Sequence, residues 1–192
     1  MNVFDFDKTI YDGDSTVDFW KFCLKKYPKT KKHLLHTGIN GLKFVLGIMD
    51  NTSFKEDFYA FLGEVEAPEK TLEEFWDVHE VNIKQWYLDM QKDDDVIISA
   101  SPEFLLAPIC KRLGIKHMMA SRVDIKTGKY NGENCHGEEK VRRYRARFGH
   151  TQIHEFYSDS YSDTPLAKLA YDPILVKGVE FEPWSEKELN KK

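Results

Sequence analysis

The chain has too few cysteines, too widely scattered, to be held together by cross-links. Cys23, Cys110 and Cys135 are odd in number and contain no CxxC pair. That argues against a disulfide framework or a cysteine-built zinc site and for a reduced compartment. A basic excess is also missing: 28 Lys and Arg stand against 32 Asp and Glu, which speaks against a generic nucleic-acid binder. No apolar run approaches the roughly 20 residues that span a bilayer. The longest stretch, 39–49, is broken by Asn40, Gly41, Lys43 and Gly47. No basic-then-apolar leader opens the chain, so the expected location is the cytoplasm. Internal repeats and low-complexity linkers are absent, and residues 17–87 contain no arginine.

What is present is a rhythm of short apolar runs separated by helical patterns. Residues 1–4, 96–98, 153–157 and 174–176 read as buried strands, with a weaker one at 117–120. The alternation predicts an α/β fold around a mostly parallel sheet. Ser53-x-x-Glu56 and Thr71-x-x-Glu74 have the form of capping boxes, and Pro102 and Pro165 fall at expected first helical positions. Thr127-Gly128 and Asn131-Gly132 predict a hairpin-like excursion over 124–135. Between the first two strands, helices are expected over 54–62 and 72–87. In the second, Leu72, Trp76, His79, Ile83 and Trp86 recur at helical spacing. The domain division expected is a core of 1–16 and 88–192 with a helical cap, 17–87, inserted after the first strand.

Four aspartates, Asp5, Asp7, Asp12 and Asp14, crowd the first fourteen residues. On a strand, Asp5 and Asp7 would share one face, and such a pair is costly unless a cation or a proton compensates it. Two further polar clusters follow apolar runs: "SASPEF", beginning at Ser99, and "SDSYSD", holding Asp159 and Asp163. In open parallel sheets ligands bind beyond the carboxyl ends of the strands, so these groups are expected to converge. Several carboxylates and a hydroxyl form a hard oxygen site suited to Mg²⁺. "HGEEKVRRYRARFG" reads as a helix, with Glu138 and Glu139 suiting its positive end and Lys140 there against the rule. A cation in that position hints at service elsewhere.

"DFDKT", "ISAS", Lys140 within "GEEK" and "SDSYSD" together resemble the four motifs of the haloacid dehalogenase-like superfamily of phosphohydrolases. The closest likeness is to its phosphoserine-phosphatase-like subgroup. "SASPEFLL" and "YSDSYSDTPL" lean toward the branch with bacterial phosphatidylglycerophosphate phosphatases. The resemblance implies a three-layer, doubly wound parallel core with an inserted helical cap. It implies Asp5 as the nucleophile forming an aspartyl-phosphate and Asp7 as general acid and base, with its main-chain carbonyl near the metal. Ser99 would bond a phosphoryl oxygen, and Lys140 would neutralise charge on Asp5 and the phosphate. Thr9, Asp14, Ala100 and Ser101 would contact substrate, and Asp5, Asp7, Asp159 and Asp163 would serve the Mg²⁺ site, Asp163 by way of Lys140 or the metal's water shell.

The expected activity is hydrolysis of a small phosphorylated metabolite. Lipid head-group phosphatase activity at a membrane surface, and phosphate binding without turnover, are the alternatives; the motifs do not separate hydrolase from phosphotransferase. A P-type ATPase would need Gly-Thr where Ile10-Tyr11 stand, and a departing halide needs no acid at Asp7. Asp93–Asp95 read as a solvated turn and the arginines of 142–147 as a hydrated helix face. Cys135-His136 is too isolated a pair for a metal claim. The basic run 25–33 beside an apolar stretch permits peripheral membrane contact.

Overall fold

The computed structural model describes residues 1–48 and 51–191. Six strands, β1 Val3–Phe4, β2 Val96–Pro102, β3 His117–Ser121, β4 Ile153–Ser158, β5 Ala170–Lys177 and β6 Glu180–Pro183, form one sheet in the order β3-β2-β1-β4-β5-β6. The first five are mutually parallel, and β6 returns antiparallel on β5. The helices are α1 Ser15–Lys26, α2 Leu34–Val45, α3 Asn51–Tyr59, α4 Pro68–His79, α5 Gln85–Met90, α6 Glu103–Arg112, α7 Glu138–Phe148, α8 Thr164–Ala167 and α9 Glu186–Leu189. The end of the apolar stretch 39–49, Met49, lies outside the described residues. No helix among the described residues is long and apolar enough to cross a membrane.

β1 is only two residues long, yet it is central. Val3 pairs with Val96 and Phe156, and Phe4 with Ile97 and Tyr157. Strand alternation sends neighbouring side chains to opposite faces. Val3, Val96 and Ile98 join one apolar cluster with Tyr144 of α7, Leu166 and Trp184. Phe4 and Ile97 join the other, with Leu105 and Ile109 of α6 and with Phe19, Phe75 and Trp76 of α1 and α4. Helices thus cover both faces, giving the three-layer arrangement expected for a parallel sheet. The helices between β1 and β2 share a continuous core with the sheet: Trp76 stands edge-on to Phe6 and Tyr11, and its Nε1 donates to the Leu105 carbonyl at 2.8 Å.

Several local expectations give way to tertiary contacts. The helix expected over 72–87 breaks after His79 into a 3₁₀ turn, because Ile83 bridges Tyr11 and the Lys84 amide donates to the Ile10 carbonyl at 2.8 Å. Thr71 does not cap a helix; α4 begins at Pro68, and the buried Thr71 hydroxyl instead meets Tyr27 Oη at 2.7 Å. Ser53 and Glu56 fall inside α3, which starts at Asn51, and Pro102 ends β2 one residue before α6. Asp95 is buried rather than solvated, accepting from the Lys92 amide at 2.8 Å. The excursion after β3 is a tight hairpin in which Asp124 and Lys129 face one another. At its turn Gly128 has φ +72°, and a Cβ there would stand 2.6 Å from Tyr59 Cβ, so glycine is required.

Candidate active site

The carboxyl ends of β1, β2 and β4 open into one cavity of about 520 Å³. Asp5, Asp7, Ser99, Ala100, Ser101 and Asp159 line it from the sheet side. Asp14, Thr16 and Val17 at the start of α1 and Lys55, Phe58 and Tyr59 of α3 line it from the other. The chain ends β1 abruptly to make this possible. Asp5 still donates its amide to the Tyr157 carbonyl at 2.9 Å, but the amides of Ile10 and Tyr11 then both turn back to the Phe6 carbonyl. Lys8, at φ +57°, takes up the left-handed conformation that such a reversal demands of a non-glycine residue.

Behind Asp5 lies a buried ion-pair chain. Lys140 Nζ donates at 2.7 Å to Asp5 Oδ1 and at 2.7 Å to Asp163 Oδ2, and Ser158 Oγ donates to the same Asp163 oxygen at 2.8 Å. The lysine in the first turn of α7 is thereby explained: two carboxylates outweigh both the helix terminus and its desolvation. Burial alone would lower its pKa, but Asp163 and Asp5 raise it, so it stays a cation. Burial pushes the Asp5 carboxyl up to about 7, against the pull of Lys140. One ammonium does not fully compensate the desolvated acids around it.

Asp7 is held differently. The Ser15 amide donates to Oδ1 at 2.6 Å, and the Ser101 hydroxyl donates to Oδ2. Burial, followed by the charge of Asp14, raises its carboxyl to about 6, although both serine donors favour the ionised form. An acid that can hold or release a proton near neutral pH therefore faces the same cavity as Asp5. Ser99 Oγ accepts from the Ser101 amide at 3.1 Å, leaving its own hydrogen to donate.

Not every expected residue takes its expected place. Thr9 is fully buried and does not line the cavity; its hydroxyl accepts from the Asp159 amide at 3.0 Å, so it braces two strand-end loops. Asp163 stands behind Lys140, outside the cavity lining, where it positions the ammonium. Asp14 lines the cavity but uses Oδ1 to cap α1 through the Val17 amide at 3.0 Å. Seven lining residues escaped the sequence reading: Lys8, Thr16 and Val17 near the start of α1, Lys55, Phe58 and Tyr59 of α3, and His136. Lys55 sits beside Asn134 Oδ1 at 3.4 Å, and burial lowers its pKa. His136 precedes Gly137, whose φ of +56° turns the chain into α7. A basic residue on an inserted helix, and a histidine next to the glycine before Lys140, were the available signals.

The donor set suits a hard divalent cation. Among the described residues no three His, Cys, Asp or Glu side chains form a ready-made cage. Mg²⁺ does not need one; it is commonly held by one or two carboxylates, with waters and phosphate oxygens completing its shell. Asp5 and Asp159 supply two carboxylates on one cavity wall, and burial raises the pKa of both. Asp7 accepts one hydrogen bond on each side-chain oxygen, from the Ser15 amide and the Ser101 hydroxyl.

A family model described as haloacid dehalogenase-like hydrolase matches residues 3–168. A protein of Mycobacterium tuberculosis named probable phosphatase is 41% identical over 80 residues, covering 38% of this chain but only 28% of that relative's length. Phosphoserine phosphatase SerB1 of the same organism is 30% identical over 196 residues, covering 90% of this chain and 63% of that one. Among solved structures, a protein of unknown function from Bordetella pertussis superposes with a TM-score of 0.75 at 21% identity, covering 91% and 88% of the two chains. That likeness concerns the fold.

Proposed function

The chain belongs to the haloacid dehalogenase-like hydrolase family, and from that premise we propose that it hydrolyses phosphate monoesters with Mg²⁺, through an aspartyl-phosphate on Asp5. In this reading residues 1–16 and 88–192 carry the chemistry, and 17–87 form the cap that reads the substrate. The names of the phosphatase relatives support the ester class.

The chemistry divides into two displacements. An Asp5 carboxylate oxygen attacks phosphorus, the bond from phosphorus to the ester oxygen breaks, and Asp7 gives its proton to the departing alkoxide. Water then attacks the same phosphorus, losing a proton to Asp7. The bond between phosphorus and Asp5 breaks, and inorganic phosphate leaves. Lys140 pulls Asp5 toward its anionic form before attack and balances charge on the phosphoryl oxygens, while Asp163 and Ser158 hold Lys140 in place. Ser99 donates to one phosphoryl oxygen, and the Ala100–Ser101 turn forms the adjoining wall. When bound, Mg²⁺ would sit on Asp5, Asp159 and the Asp7 main-chain carbonyl and neutralise phosphoryl charge. Lys55 of α3 gives that wall of the cavity a basic group suited to a small, additionally anionic metabolite, while burial holds His136 toward its neutral form.

The observation that carries this reading is the Lys140 ammonium, buried between Asp5 and Asp163 at the wall of a cavity shared by Asp7, Ser99 and Asp159. Asp5→Asn should abolish Mg²⁺-dependent hydrolysis of p-nitrophenyl phosphate while the protein still melts cooperatively. Turnover within tenfold of the parent would overturn the assignment. If the parent itself fails to turn over a broad panel of phosphate esters with Mg²⁺, the site is one of binding alone.

A further inference from the structure

Most surface helices bury their apolar stripe and show a polar face to water. Helix α2 does the reverse. Its buried Asn40 turns inward, where Nδ2 donates to Asp57 of α3 at 2.8 Å. Ile39 and Leu42 face outward, Leu42 exposed to 60%, and Leu46 and Ile48 just beyond the helix are exposed to 63% and 72%. Nothing in the fold of the described residues covers them. Contiguous exposed apolar surface of this kind marks a site of contact.

The segment of chain that carries this face is basic. Lys25, Lys26, Lys29, Lys31, Lys32 and Lys43 lie within 25–48, which contains no Asp or Glu at all, in a chain whose net charge is −4. Lys26, Lys29 and Lys32 find partners elsewhere in Glu74, Glu66 and Glu64. Lys25, Lys31 and Lys43 have no ion pair among the described residues. A second copy packed face to face would bring cationic segments together, and like charges across an interface oppose association. A nucleic acid would satisfy the lysines but leave the leucines in water.

We propose that the outward face of α2, with the 3₁₀ turn 28–33 before it, docks on an anionic lipid surface. Ile39, Leu42, Leu46 and Ile48 would enter the acyl boundary, and the lysines would meet the head groups. α2 packs on α3, whose Lys55, Phe58 and Tyr59 line the cavity, so docking would hold that wall of the site close to the membrane. The inference stands apart from the hydrolase reading, because it concerns attachment and not chemistry.

Sedimentation of the full chain with vesicles tests it. Vesicles of phosphatidylcholine and phosphatidylserine in equal parts should retain the protein at least about tenfold better than phosphatidylcholine alone, with the difference shrinking at high salt. Leu42→Asp with Leu46→Asp should cut retention by about tenfold or more and leave p-nitrophenyl phosphate hydrolysis unchanged, since both side chains are already in water. Lys31→Glu should weaken binding to the anionic vesicles selectively. The proposal is overturned if the parent stays in the supernatant with anionic vesicles, or if the leucine variant binds as the parent does. It is equally overturned if light scattering shows a dimer that the leucine variant dissolves.

Discussion

The Lys84 ammonium donates at 2.7 Å to the carbonyl of Lys8, the residue between Asp7 and Thr9, and at 2.7 Å to the carbonyl of Gly178 in the β5–β6 turn. It thus ties the left-handed reversal after β1 to the turn at the carboxyl end of β5. Its own pKa is lowered by burial, with Asp12 and Asp159 pulling the other way. Lys84→Met keeps the aliphatic stem and strands two carbonyls. Stability in urea should fall by about 1–3 kcal/mol. Among folded molecules kcat should fall further than KM rises, because the loop carrying Asp7 loosens. An unchanged kcat per folded molecule would reduce Lys84 to a purely structural tie.

Removing Lys140 should be more damaging to the fold than removing any exposed cation. Lys140→Met leaves Asp5 and Asp163 buried without a counter-charge, a loss of about 3–5 kcal/mol for a broken buried pair. Part of that loss should return on moving to mildly acid solution, where Asp5 can protonate. A double-mutant cycle of Lys140→Met with Asp163→Asn measures the coupling; additive losses would contradict the observed geometry.

The pH dependence of the metal-free protein has a defined sign. Asp5, raised to about 7, and Asp7, raised to about 6, both keep protons in the folded chain at pH values where the unfolded chain has released them. Their contribution is complete below the ordinary carboxylate range and is lost as pH rises through about 6 and 7. With a chelator present, Tm at about pH 7.5 should therefore lie below Tm at about pH 5.5. Added Mg²⁺ should raise Tm more at the higher pH, where both acids are ionised. A chelated Tm that climbs over this range would contradict the assignment.

Ser101 should tune the acid. Its hydroxyl donates to Asp7 and favours the carboxylate, so Ser101→Ala should raise the Asp7 pKa further. In the proposed mechanism Asp7 is protonated when it discharges the leaving group, so the basic limb of the kcat profile should move up by as much as about one pH unit. A shift in the opposite direction would exclude Asp7 as the donor.

The strands were legible because each is an apolar run followed at once by polar residues, a pattern independent of distant contacts. β6 was not: Glu180, Phe181, Glu182 and Pro183 lack a buried run and pair on one side only, at the sheet edge. The 72–87 helix was overextended because the apolar period carries on to Ile83 and Trp86, whereas the chain there pairs with Ile10 and Tyr11, a contact that only tertiary packing defines. The strand-end carboxylates could be read for the same reason as the strands. Lys55 and His136 could not, since they reach the cavity only through the seating of α3 and the turn before α7. Thr9 was read as a contact because of its motif position, and its hydroxyl turned out to serve the neighbouring loop.

The apolar core that runs without a seam from Phe4 and Phe6 through Trp76 to Phe19 and Phe75 has an architectural consequence. α1 and α4 cannot swing away from the sheet as a rigid flap without exposing those rings, so any opening of the cavity is expected on the α3 side. The insertion is likewise not a portable cassette. Grafted onto a core without counterparts of Phe6, Tyr11 and Leu105, it would strand Trp76, and new specificity should arise by local change at Lys55, Phe58 and Tyr59 and not by wholesale exchange.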